Sequence, residues 1–351
     1  MPGLRGLAAP LVAAAVLTTS TAASAAPTVV ARHLDRPRGL AIGPAGTLYA
    51  ALVGHGGKPC NGEGCFGASG RIVRVARNGK VHTALGGLLS MRGRPDGFFS
   101  IGADQVTVLP NGRLATAVTA EFEGPTGTAP KAVPRALRPQ IGHLLTGRPG
   151  GRVHVGADLA KLEFTTDPDG EGAVSNPYGV THVGTQIFVS DSAANDVLSV
   201  RGGVAELLDV FPHAGDAQSV PDALTAGPDG ALYVGEFTGG AQAKGTARIW
   251  RVVPGQAAAV WATGLTSVTA VAAGADGSIY AAEFLPGRVV RITPAGDRTV
   301  IARRLHFPGG IAVARDGAVY VSDWSIAGAT PAKHGPLKGR TGRILRIAPA
   351  G

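Results

Sequence analysis

The start of the chain repeats a piece that its end lacks. Thr28 to Leu34 (TVVARHL), then Pro37 to Ile42 (PRGLAI) and Gly46 to Tyr49 (GTLY), reads like Thr299 to Leu305 (TVIARRL), Pro308 to Val313 (PGGIAV) and Gly317 to Tyr320 (GAVY). Each full copy is expected to carry four short strands, yet the last stops after its third, Gly342 to Ile347. The missing fourth strand is at the front. A chain that lends its first strand to its last sheet has joined its two ends, and an array closed in this way leaves only short, protected sheet edges. The fold expected is all-β, a six-bladed β-propeller with the N-terminal strand completing the last blade.

Six copies of the unit can be placed. Their first turns are Gly43 to Gly46, Pro110 to Gly112, Val183 to Gln186, Gly227 to Gly230, Gly274 to Gly277 and Ala314 to Gly317. Asp-Gly and Asn-Gly supply the positive φ angles that tight hairpins require. The last three turns recur at intervals of about 40 to 47 residues, the period of a four-stranded blade. Abundant glycine and proline, 53 and 25 residues, with no sustained helical periodicity, agree with many short strands. Where the spacing stretches, loops enter between second and third strands: Val53 to Ser69, Glu121 to Gln140, Thr238 to Thr246 and Ser325 to Thr341. In a propeller these connections share one face with the entries to the innermost strands. A ligand or partner is therefore sought on that face.

Residues 1–25 read as a signal peptide, with Arg5 in the charged region, an apolar stretch from Leu7 to Leu17 and Ala23-Ser24-Ala25 as cleavage site, which leaves 26–351 as one propeller domain. The expectation is a secreted, monomeric protein with no transmembrane anchor. Cys60 and Cys65 are the two cysteines, and oxidising conditions favour their pairing in a disulfide. Much of the net charge of +9 lies in one acid-free stretch holding Lys131, Arg135, Arg138, Arg148 and Arg152, readable as a solvated loop or as a contact for an anionic cell-envelope polymer. Nucleic acid is not an expected partner, because aromatics make up 5% of the chain and do not interleave with the basic residues.

Pro59-Cys60 with Cys65-Phe66-Gly67, Ser175 to Val180 (SNPYGV), Val220-Pro221 leading into Gly227 to Glu236 (GPDGALYVGE), and Arg248 to Val252 (RIWRV) together resemble the exported ScyD/ScyE family. The resemblance covers nearly all of residues 26–351. It implies a six-bladed propeller akin to NHL-repeat and gluconolactonase-type proteins, and it implies no catalytic residue set.

Two rings of matched positions stand out. Second strands end in Leu52, Val118, Asp191, Glu236, Glu283 and Asp323, of which four are acidic. First strands are entered at Arg38, Asp104, Tyr178, Asp222, Thr269 and Gly309. Radiating blades would gather both rings at the mouth of the central channel, where so many oxygens suit a hard cation such as Ca²⁺. The lactonase-type relatives imply a divalent metal there, with Asn176 and Asn195 as the available amides. The plainer reading gives each acid to main-chain donors of its own blade, and the residues alone leave both open. His55, His143 and His306 are the histidines placed to approach the channel, and Trp324 is a candidate pocket wall. There is no GxSxG elbow, HExxH or Walker A loop.

The function expected is a secreted binding module that holds a small molecule or envelope component on its looped face, through Arg38, Asp104, Tyr178, Asp222 and Trp324, without catalysis of its own. The alternative is a Ca²⁺-dependent hydrolase of the gluconolactonase type, its metal held by Asp191, Glu236, Glu283 and Asp323.

Overall fold

Short apolar runs separated by turns that only glycine fits have one economical outcome, an antiparallel meander, and the computed structural model shows six of them. It describes residues 26–94, 99–118, 122–123, 131–238, 244–326 and 342–349. The expected signal peptide and most of the last insertion, Ser325 to Thr341, lie outside the described residues. At the hairpins after the first strands, Gly230 and Gly277 adopt φ of 79° and 78°, a region closed to most side chains.

Blade 3 is the plain example, with Pro177–Val183, Gln186–Asp191, Asp196–Arg201 and Val204–Val210 paired in sequence order. Blade 4 runs from Pro221 to Leu265 and blade 5 from Val268 to Ala302 in the same order. Blade 6 takes Gly310–Val313, Val319–Asp323 and Gly342–Ile347 from the C-terminal end, and its outer strand is Thr28–Leu34. Thr28 faces Arg346, Val29 faces Leu345, Ala31 faces Ile344 and Leu34 faces Gly342. The ring is thus closed by the segment that the repeat pattern singles out.

Packing between blades explains why the strands do not alternate cleanly between apolar and polar residues. A middle strand is covered on both faces by its neighbours, so Leu48–Leu52, Leu232–Glu236 and Ile279–Glu283 are buried at every position. Among the described residues six of the apolar clusters lie one between each adjacent pair of blades. The cluster between blades 6 and 1 contains Ala31 and Leu34 together with Leu40, Leu52 and Ile344, which ties the closing strand into the core as well as into a sheet.

Blade 1 departs from expectation. The stretch from Val53 to Ser69 is not all loop, because the third and fourth strands run on as a long hairpin, Gly64–Val75 with Val81–Gly93, capped by the short strand Ser100–Ile101. Cys60 and Cys65 are joined as a disulfide at its tip. Between blades 2 and 3 lies a short helix, Lys161–Thr166, ended by Asp167 at φ 43°. Among the described residues no helix is long and apolar enough to cross a membrane.

Candidate functional site

The first strands deliver their opening residues to the axis. Arg38, Tyr178, Asp222, Thr269 and Gly309 line one cavity of about 620 Å³ at the channel mouth, and Asp104 lies beneath it. The Arg38 guanidinium donates to Asp104 Oδ1 and, through Nη2, to Ser100 Oγ at 3.0 Å. Asp104 is fully buried and the Arg38 side chain 13% exposed. Burial works against the charge on Arg38, but Asp104, aided by Tyr178 and Asp222, outweighs it and holds the guanidinium charged above its ordinary range. Burial and then Asp104 push the Tyr178 hydroxyl well above its usual value, so it stays protonated. Asp222 accepts from Ser192 Oγ at 2.7 Å, and Thr269 Oγ1 donates to Pro308 O at 2.7 Å. Gly309 and Gly310 have no side chain for a packing reason: a Cβ on Gly309 would strike Ser325 Oγ, and one on Gly310 the carbonyl of Arg38.

The walls divide by chemistry. On the side of blades 4 to 6, Phe237, Phe284 and Ile326 pack with Phe307 into a small apolar cluster, with 5.8 Å between the Phe237 and Phe284 ring centroids and 5.1 Å between Phe284 and Phe307. Phe99 and Leu285 stand half-exposed at the rim. On the blade 3 side the lining is Glu171, Asn176, Ser192 and Gln218. Gln218 Nε2 donates to Glu171 Oε2 at 3.1 Å, and His213 approaches Glu171 Oε1 at 2.6 Å. The Asn176 side-chain oxygen is buried without a hydrogen-bond partner.

The second ring does not meet at the axis. Asp191, Glu236, Glu283 and Asp323 are buried inside their own blades, at most 1% exposed. Glu236 accepts from Ser219 Oγ (2.9 Å), Trp250 Nε1 (2.7 Å), the Arg248 amide (2.8 Å) and the Arg248 guanidinium (2.6 Å from Nη2). Glu283 takes Arg288 and the Thr266 amide, and Asp323 takes Arg343 and the His306 amide. Asp191 accepts from Ser175 Oγ and from the amides of Asn176, Ala193 and Ala194. As a set of ligands for one metal these four therefore do not fit. Three of the four are already neutralised by an arginine of their own blade and Asp191 accepts from four donors of its own, while the mouth itself holds a guanidinium, which repels a second cation. Asn195 is also turned away, donating to Asp169 Oδ2 at 2.9 Å and accepting from the Val220 amide.

Removing one partner from such a buried pair leaves the other charge uncompensated, at a cost of about 3–5 kcal/mol. Glu236→Ala is expected to fall in that range, because Arg248, Trp250 and Ser219 lose their acceptor together. Equilibrium denaturation checks it, and a loss under about 1 kcal/mol would show that water reaches these groups.

Other candidates are placed away from the cavity. Trp324 is stacked on His306, with 4.1 Å between centroids and 7° between planes, while its chain neighbours Ser325 and Ile326 take the wall position. His55 is bound to Asp35 Oδ2 at 2.5 Å and His143 to Ile141 O at 2.7 Å. In the basic stretch Arg135, Arg138, Arg148 and Arg152 are exposed, and Arg138 Nε donates to Val133 O. Phe237 and Phe284 escaped the sequence reading, although a signal was present: each directly follows its blade's acid, as Glu236-Phe237 and Glu283-Phe284.

The architecture is shared with solved propellers. A gluconolactonase from Xanthomonas campestris is 11% identical, matching 91% of this chain and 88% of that one with a TM-score of 0.56. The PQQ-bound aldose sugar dehydrogenase of Streptomyces coelicolor is 14% identical over 92% and 96% with a TM-score of 0.55. A catalytically inactive virginiamycin B lyase from Staphylococcus aureus, solved with quinupristin, is 15% identical over 93% and 99% with a TM-score of 0.50. No protein-family model matches the chain, and no curated protein sequence does. At these identities the likeness establishes the six-bladed fold and leaves the activity to the site.

Proposed function

We propose that this is an exported binding propeller that takes a small amphipathic molecule into the axial cavity and performs no bond-breaking chemistry on it. The observation that carries the proposal is the occupation of the axis by Arg38, clamped on Asp104 beside Asp222, where a catalytic metal would otherwise need open carboxylates. A fixed guanidinium, a protonated Tyr178, Asp222 and the unpartnered oxygen of Asn176 offer directional hydrogen bonds to hydroxyl and amide groups. Phe237, Phe284 and Ile326 offer an apolar surface to a ring on the opposite side. Export is in keeping with the disulfide, and the sequence resemblance to the exported ScyD/ScyE family points the same way.

A neutral aryl glycoside has both halves of this chemistry, so para-nitrophenyl glucoside is a suitable probe. Calorimetry is expected to show saturable binding, weakened about tenfold or more by Phe284→Ala through lost ring contact, with no release of nitrophenol. If Phe284→Ala bound the probe as the parent does, the cavity would not be the site. The other reading is a metal-dependent lactonase of the kind found on this fold. Calcium-dependent opening of D-gluconolactone above the spontaneous rate would replace the binding reading with that one.

A further inference from the structure

The upper ends of blades 4, 5 and 6 repeat one electrostatic unit, and blade 3 breaks it. Strand register sets Glu283 opposite Arg288 and Asp323 opposite Arg343, and Glu236 is forked by Arg248. In blade 3 the same register sets Asp191 opposite Asp196. Two carboxylates occupy the place of an ion pair, each 1% exposed. Asp191 is served by Ser175 and main-chain amides, whereas Asp196 keeps Oδ1 with no partner.

More acid converges on the same place. The short helix carries Glu163 and the turn after it carries Asp167 and Asp169, and one oxygen from each lies within 4.8 Å of the others. Glu163 is 2% exposed with both oxygens unpartnered, and the Val174 N–H that faces it is spent on Gly172 O at 2.8 Å. Asp169 is held in position by Asn195 Nδ2. Among the described residues no lysine, arginine or histidine forms an ion pair with any of these five acids. Burial, then Asp169, Asp191 and Asp167, push Glu163 up to about 7. Burial, then Asp191, Glu163 and Asp169, push Asp196 well above the carboxylate range.

We infer that Glu163, Asp167 and Asp169 bind a hard divalent cation of the Ca²⁺ class, which supplies, beside the Asp191 and Asp196 pair of blade 3, the positive charge that arginine supplies to blades 4, 5 and 6. The ligand atoms are all oxygen, they come from a helix and the turn after it, and three acids with a buried, unpartnered Glu163 among them suit Ca²⁺ with carbonyl or water oxygens completing its shell. The site is separate from the channel mouth, and it has a consequence there. The chain that leaves Asp169 goes on as Glu171, Gly172, Val174 and Asn176, which form the polar wall of the axial cavity. A bound cation would pin that wall at its root.

The test is a Ca²⁺ titration of the whole chain after treatment with EDTA, followed by calorimetry and by thermal midpoint. One saturable site and a midpoint raised by about 5 °C or more at millimolar Ca²⁺ are expected. Glu163→Gln and Asp167→Asn should each weaken binding about tenfold or more. Asp196→Arg should abolish the Ca²⁺ response by setting a guanidinium beside the acids, while keeping in EDTA a midpoint no lower than that of the parent, since it builds the pair found in blades 4, 5 and 6. Absence of saturable binding overturns the inference. So does binding that Asp167→Asn leaves unchanged, because a cation at the channel mouth or a diffuse surface effect would behave in that way. Asp167 is only half-buried, so this variant decides the matter even if Asp196→Arg fails to fold.

Discussion

Deleting Thr28 through Leu34 is expected to lower the thermal midpoint by about 5 °C or more and to turn a protease-resistant ring into a cleavable one. The segment lies at the very start of the described chain, where a strand is normally dispensable. Here it is the outer strand of blade 6, in register with Gly342–Ile347, and it buries Ala31 and Leu34 to 3% exposure with Val29 and Val30 half-covered. At about 25 cal/mol per Å² those side chains contribute roughly 5 kcal/mol, and for a domain spanning residues 26–351 each kcal/mol moves the midpoint by about 1.5 °C. The loss also exposes the edge of Gly342–Ile347 and one side of the core shared with blade 1, so association through that edge should accompany it. An unchanged midpoint, or unchanged resistance to protease, would mean that the ring is held shut by the inter-blade cores alone.

That segment was legible in the sequence because closure demands a visible duplication, and because Asp-Gly turns announce hairpins through a backbone constraint that no tertiary context relaxes. The site is legible in the sequence by position, and its chemistry is not. Arg38, Asp104, Tyr178 and Asp222 were found by aligning one strand's first residue across blades, and a ring's first residues meet wherever its strands meet. The acids Glu236, Glu283 and Asp323 repeat in the same way, and carboxylates considered without their partners leave a metal at the axis and donors of their own blade equally open. Those partners recur as plainly, in Arg248-Ile249, Arg288-Val289 and Arg343-Ile344 at the starts of third strands. A donor and an acceptor that repeat together, each at a fixed place in the unit, neutralise one another within that unit. What repeats serves the repeat, and function is better sought where the pattern lapses: at Asp196 in place of arginine, and at the phenylalanines beside the acids of only two blades. The helix from Lys161 to Thr166 gave no such signal, since six residues are too few to show a helical period.

Arg38→Met is expected to cost about 3–5 kcal/mol of stability and to abolish binding in the axial cavity, the largest effect of any single substitution at the site. The methionine fills much of the same volume, so the loss would report charge and not packing. Without the guanidinium, Asp104 remains fully buried below the cavity and within electrostatic reach of Asp222, and folding must then protonate one of them or strand both. Adding Asp104→Asn to the Arg38→Met chain removes that uncompensated charge. The double variant should recover at least half of the lost stability while still failing to bind the aryl glycoside, since the donor has not been restored. Urea denaturation of the two single variants and the double variant gives the coupling between the residues directly. A coupling below about 0.5 kcal/mol would show that Asp104 does not hold the guanidinium in place, and the case for a cation built into the axis by the chain itself would then fail. Recovery of binding in the double variant would point elsewhere, to a ligand that reads the Phe237 and Phe284 wall alone and asks nothing of the floor.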